Sequence, residues 1–305
     1  MAEKRKILHQ LDTDSRASSF DSVVAVDSDV DVLLCHADVT PENVVDIVYG
    51  AIFTRPAGHL QSTAIFVGGS DVAAGEAVMD KIVNTFFGNH RVSVMLDSSG
   101  ANTTAAAAVV AAMRHPGDGD EPLAGRSAVV LGATGPVGRR VVRLLASSGA
   151  NVVVGSRSQE RADEVAGEIS AAVEGARSIT GAATGEASEL VAAMEGAELV
   201  IATGGPGVCL LSEDARKACG SLRVAIDLNA VPPEGIEGVG GTVAGEELDG
   251  VICYGAIGIG GIKMKIHRSC VASLFESNDL VLDADEMLAV GRTGSAEATT
   301  GKAEA

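Results

Sequence analysis

SAVVLGATGPVG, residues 127–138, is the stretch that decides the fold. An apolar run, Ala128–Leu131, leads into Gly132, Gly135 and Gly138, spaced G-x-x-G-x-x-G, and a helical pattern PVGRRVVRLLASSG follows. Glycines at the first two positions let the backbone turn tightly and approach a pyrophosphate, and the third lets helix and strand pack closely. The helix that follows aims its first amides at the phosphates. In a chain with 37 glycines the spacing alone is weak, and a plain structural turn is the competing reading. The strand before, the helix after and a second strand, NVVVGSR, at the right distance favour a dinucleotide site. Gly132, Ala133, Thr134, Gly135, Pro136, Val137 and Gly138 are therefore read as cofactor-binding, with Thr203, Gly204 and Asn229 at the ends of two later strands, AELVIATGG and LRVAIDLNA.

The second strand ends Ser156-Arg157-Ser158, where an NAD enzyme usually carries an acidic residue for the ribose 2′-hydroxyl. A carboxylate there repels a 2′-phosphate, whereas the planar fork of Arg157 pairs with one and the two serines add hydroxyl donors. The expected cofactor is NADP. A solvated strand end is the bland alternative for Arg157.

Upstream, apolar runs near residues 7, 31, 63 and 93 alternate with helical patterns at TPENVVDIVYGAIF, DVAAGEAVMDKIVNTFF and TTAAAAVVAAMRH. In the first of these helices Thr40 is the expected N-cap, with Pro41 at the first helical position. Strands alternating with helices imply parallel βαβ units. The Pro-, Gly- and Asp-rich run His115–Gly125 is taken as a linker. The expected fold class is α/β: a substrate domain over 1–118 completed by C-terminal helices 264–292, a Rossmann-type NADP domain over 119–263, a cleft between them, and a disordered tail over 293–305. GAIGIGG, ahead of the last helical stretch, is taken as a flexible loop.

With 305 residues, 46% of them apolar and 21% charged, the chain is globular and long enough for two domains. No apolar run approaches the roughly 20 residues that cross a bilayer, and the N-terminus lacks a secretion signal, so a cytoplasmic protein is expected. A net charge of −18 argues against nucleic acid and anionic membranes, which need a basic footprint. Five scattered cysteines without a C-x-x-C pair are read as free thiols, and the scattered histidines give no metal site.

Several segments together resemble the NADP-dependent methylenetetrahydromethanopterin/methylenetetrahydrofolate dehydrogenases. They are Leu11–Asp14, Ser19–Asp21, Gln61–Gly69, Leu96–Thr104, Gly132–Gly138 and Gly255–Arg268, and they span nearly the whole chain. The resemblance implies hydride transfer from the methylene bridge of a reduced pterin to NADP, with the pterin in the interdomain cleft. It also implies a homo-oligomer, with a trimer as one form. It carries over Lys263 as the catalytic residue that contacts the pterin, against the bland reading of a snorkelling lysine. Asn102 and His267, inside matching stretches, are placed with it as substrate contacts. Gln61, Thr63 and Asp97 lie at the ends of expected strands and are read as further substrate contacts; a carboxylate at Asp97 suits the guanidine-like edge of a pterin, with turn capping as an equal alternative.

The residues agree with this chemistry. A methylene held between two nitrogens leaves a nitrogen-stabilised cation when it loses hydride, so no general base is needed and catalysis rests on orientation and electrostatics. Two other readings compete. A shikimate-like NADP dehydrogenase would need a Lys/Asp acid–base pair, and none is visible. A non-catalytic NADP(H) sensor would keep the glycine motif and bind without turnover.

Overall fold

The computed structural model describes residues 4–116 and 121–300. In chain order it holds β1 (Ile7–Asp12), α1 (Ser19–Val26), β2 (Val32–His36), α2 (Val44–Phe53), β3 (Thr63–Gly68), α3 (Val72–Thr85), β4 (Ser93–Leu96) and α4 (Ala101–Met113). Then come β5 (Ser127–Leu131), α5 (Pro136–Ser147), β6 (Asn151–Ser156), α6 (Gln159–Ala172), β7 (Ser178–Ala183), α7 (Ala187–Ala193), β8 (Leu199–Ala202), α8 (Glu213–Ala218) and β9 (Val224–Asp227). The chain closes with β10 (Ala244–Leu248), β11 (Val251–Tyr254), α9 (Ala256–Ser273), β12 (Val281–Leu282) and α10 (Ala284–Thr300).

Two compact units result, one of Met1–Thr103 with Met264–Ala305 and one of Thr104–Lys263. One division falls inside α4, after Thr103, short of the His115–Gly125 run, because Pro and Gly mark where a helix stops and not where packing partners change; the other falls inside α9, between Lys263 and Met264. The first unit has an all-parallel sheet ordered β12-β4-β3-β1-β2. Its core on one face gathers Leu11, Val48, Ile52, Ile65, Val78 and Ile82. The second unit has the order β10-β11-β9-β8-β5-β6-β7, parallel except for the β10–β11 hairpin. This is the doubly wound arrangement, with the chain reversing direction across the sheet between β5 and β8.

Four expectations change. Helix α2 begins at Val44, not after Thr40, because Asn43 Oδ1 accepts from the Thr40 N–H at 2.9 Å while its Nδ2 donates to Asp38 O at 2.8 Å, holding residues 40–43 in a turn. The glycine-rich run is no loop: α9 is continuous from Ala256. A Cβ on Gly258 would stand 2.0 Å from Val243 O and one on Gly255 2.2 Å from Gly240 O, so these glycines serve close approach of the helix start to the 240–243 backbone. Helix α10 runs to Thr300 where a loose tail was expected from 293; residues 301–305 of that tail lie outside the described residues. The β10–β11 hairpin was not foreseen, although its turn pair Asp249-Gly250, with φ of 52° and 80°, is a strong hairpin signal.

Across the β1–β2 pair of the first sheet His9 and His36 stack with Nδ1 and Nε2 3.4 Å apart. Burial, then His36 and Arg55, lower the His9 pKa to about 4. Since an unfolded His titrates near pH 6.5, the unfolded chain binds more protons between those values. Stability from this site is complete above about pH 6.5 and falls as pH drops toward 4. Urea titrations at pH 7 and pH 5 are expected to show a smaller loss in His9→Gln than in the parent; equal losses would overturn the assignment.

Candidate functional site

The second unit builds its site at the carboxyl ends of β5, β6 and β8. Gly132 has φ +69°, and a Cβ there would lie 2.9 Å from the Gly204 Cα, so two backbones meet where the sheet reverses. Gly138 is the packing glycine: a Cβ would stand 2.6 Å from both the Ala133 Cα and Thr203 Oγ1. Gly135, between them, faces open space, its nearest neighbour being Gly132 O at 3.9 Å. That is the cradle a pyrophosphate requires, closed behind and open in front. Pro136 opens α5 at a position whose N–H the helix does not use, and Val137 follows in the first turn. Buried Ala133 donates its N–H to Gly155 O at 3.0 Å, Thr134 is half-buried beside it, and Thr203 Oγ1 donates to Leu131 O at 2.9 Å, so the turn is tied to its neighbours on both sides. These residues fit a dinucleotide.

At the end of β6, Arg157 is exposed and makes no ion pair among the described residues. Ser156 Oγ accepts from the Ser158 N–H at 3.3 Å, and Ser158 Oγ caps α6 by accepting from the Arg161 N–H at 3.4 Å. Both hydroxyls keep their own proton to donate. Asn229 follows β9 and is held within its own loop. Its Oδ1 accepts from the Val231 N–H and its Nδ2 donates to Pro233 O, so the side chain closes its own loop. That loop hangs on Asp227, a buried carboxylate that sequence reading missed; it accepts from the Asn229 and Ile236 N–H groups, and burial raises its pKa while these bonds oppose the rise.

In the first unit the predicted substrate residues separate. Gln61 and Thr63 stand at the amino end of β3, Asp97 and Asn102 beyond the carboxyl end of β4. The five steps from Thr63 to Gly68 span about 16 Å at roughly 3.3 Å each, so the two pairs cannot share one small-molecule site on this sheet. Thr63 is buried with its Oγ1 unpartnered among the described residues, and Gln61 is exposed. Asp97 takes the capping role: buried, it accepts from the Thr103 N–H at 3.0 Å and from Thr103 Oγ1 at 2.6 Å. Asn102 Nδ2 donates to Leu96 O and to Asp283 Oδ1, pinning the same turn.

Along helix α9 the basic residues Lys263, Lys265, His267 and Arg268 meet different surroundings. His267 is buried and stacks on Phe66, centroids 5.7 Å apart, with the exposed ring of Phe20 at 6.4 Å, which makes it part of the packing. Arg268 turns outward to Asp27 and Lys265 is exposed. Lys263, half-buried, donates from Nζ to Thr104 Oγ1 at 3.0 Å. What sequence reading left without a role is the carboxyl edge of β1. Asp12 accepts from the Asp14 and Ser18 N–H groups, and Asp14 accepts from the N–H and Oγ of Ser70, locking the loops after β1 and β3 together. Gly69, with φ +111°, lets Thr13 sit against it. The signal was there in LDTD and VGG, polar or glycine residues closing apolar strands.

A protein of Methylorubrum extorquens named bifunctional protein MdtA is 43% identical to this chain over 283 residues, covering 93% of the chain and 96% of the relative. Residues 19–99 match the family described as methylene-tetrahydromethanopterin dehydrogenase, N-terminal. The chain belongs to the methylenetetrahydromethanopterin dehydrogenase family. A second relative from the same organism, named NAD(P)-dependent methylenetetrahydromethanopterin dehydrogenase, is 29% identical over 92% of the chain and 95% of its own length. Residues 132–227 match the family described as NAD(P)H-binding. This dehydrogenase is therefore an oxidoreductase that binds NAD(P), and the matched stretch opens at Gly132, the first glycine of the turn.

Proposed function

We propose that this dehydrogenase takes hydride from the methylene bridge of a reduced tetrahydropterin and passes it to NADP, giving the methenyl form. The observation that carries the reading is the 43% identity to a relative over 93% of the chain, because it covers both units at once. NADP supplies the hydride acceptor when bound. The glycine turn and the start of α5 hold its pyrophosphate, and Arg157 with Ser156 and Ser158 selects the 2′-phosphate. Lys263 acts on the pterin. Because the substrate gains positive charge as hydride leaves, an ammonium beside the reacting carbon would oppose the step. Lys263 therefore contacts an electronegative pterin atom away from that carbon and orients the ring.

The protein acts in the cytoplasm as a homo-oligomer, a trimer among the forms to test. Three of its eight Phe and Tyr residues, Tyr49, Phe53 and Phe87, gather on one exposed surface with neighbouring ring centroids 5.6 Å apart, the kind of apolar patch that self-association covers.

The direct test follows NADPH absorbance with methylenetetrahydromethanopterin and with methylenetetrahydrofolate in turn. A rise with either supports the reading, and the ratio ranks the two pterins. NADP binding without turnover on both would make the chain a sensor. Arg157→Ala is expected to raise the Michaelis constant for NADP by about one to two decades, from a charged hydrogen bond contributing roughly 1.5–3 kcal/mol, and to leave that for NAD nearly unchanged. Equal use of NAD and NADP by the parent protein would sink this assignment.

A further inference from the structure

We propose that Thr104 is a positioning residue for Lys263, fixing where the ammonium meets the pterin; the proposal rests on the pterin role given to Lys263 above. Lys263 Nζ donates to Thr104 Oγ1 at 3.0 Å, both side chains half-buried. The two are unequal partners. A lysine head swings on a four-carbon stem and loses much rotamer freedom when held, whereas a threonine hydroxyl in a helix has two settings one bond from the backbone. Thr104 stands in the first turn of α4, and that turn is itself pinned. Asp97 accepts from the N–H and Oγ1 of the adjacent Thr103, Asn102 Nδ2 donates to Leu96 O, and Ser99 and Gly100 turn the chain with φ of 55° and 60°. The hydroxyl therefore has a defined place before any ligand arrives.

The chemistry of the partner matters too. A hydroxyl accepts from the ammonium without bringing an opposite charge of its own. A carboxylate in that place would pair the charge and spend it inside the protein. The structure thus supplies a rigid neutral acceptor to a flexible cation, which is what orientation of a substrate ring needs.

The experiment compares the parent, Thr104→Val, Thr104→Ser, Lys263→Ala and the double variant Thr104→Val/Lys263→Ala. The assay uses saturating NADP and either methylene-pterin, with NADP affinity and thermal unfolding measured alongside. Valine keeps the shape and removes the acceptor. Expected for Thr104→Val is a fall in pterin kcat/KM of about five- to twentyfold, the range of one lost hydrogen bond, with NADP affinity unchanged. Thr104→Ser restores activity to within about threefold by returning the hydroxyl. In the double variant, valine adds nothing to the loss from Lys263→Ala, because interacting residues are non-additive. A full valine effect without Lys263, or parent-like activity of Thr104→Val beside an inactive Lys263→Ala, overturns the positioning role. Parent-like activity of Lys263→Ala overturns the lysine reading and the proposal with it. Should Thr104→Val unfold, the serine variant decides: activity reduced as far as in Lys263→Ala would show that the hydroxyl alone does not position the lysine.

Discussion

Gly138→Val is expected to weaken NADP binding by roughly ten- to a hundredfold while the first unit keeps its fold. The argument is steric. A Cβ at Gly138 stands 2.6 Å from the Ala133 Cα and 2.9 Å from the Ala133 carbonyl carbon, and both are backbone atoms that cannot rotate aside. To admit the side chain, α5 must move off β5, and the amides at its start move with it. Overpacking of this kind costs about 1–3 kcal/mol, and each 1.4 kcal/mol passed to the bound state is a decade of affinity. Calorimetric titration with NADP measures it. Gly167→Ala is the control, because Gly167 lies within α6 with no atom near its missing Cβ and is expected to bind NADP normally. Parent-like affinity in Gly138→Val would mean that the glycine turn does not carry the nucleotide.

Lys263→Ala is expected to lower pterin turnover or pterin affinity by an order of magnitude or more, with NADP affinity intact. Lys265→Ala is its comparison. The two lysines are neighbours in sequence, but helix α9 makes Lys265 an exposed side chain while Lys263 is half-buried and bonded to Thr104. The expected outcome is a large effect at Lys263 and almost none at Lys265. Loss confined to Lys265→Ala would show that the wrong lysine was assigned, and loss in neither would make both structural.

Local rules made the nucleotide unit legible. An apolar strand, three glycines in fixed spacing and a following helix are neighbours along the chain, so the physics that joins them acts over a dozen residues. The place of Arg157 was readable for the same reason, being the end of the next strand. The hairpin turn Asp249-Gly250 was equally local and was overlooked, whereas the exposed edge strand β7, with its small and polar residues, carried little apolar signal to find.

The pterin-side residues were less legible because their roles depend on which end of a strand faces which way. Gln61 and Thr63 open one apolar run and Asp97 closes another, and the parallel register of β3 and β4 fixes Thr63 at one edge of the sheet and Asp97 at the other. Asp97 and Asn229 are polar residues at strand ends in either reading; only the fold shows their side chains closed on Thr103 and on Val231 and Pro233. Lys263 and His267 fit an extended or a helical spacing, and packing chose the helix. Gly255 and Gly258 bring its start against the 240–243 backbone, and His267 turns inward onto Phe66. By itself, then, the sequence determined two α/β units and an NAD(P)-binding class with its strand–glycine–helix turn, all written in contacts between near neighbours. Tertiary structure alone decided which polar side chains remain available to a ligand, because that depends on hydrogen bonds and close approaches made between segments far apart in the chain.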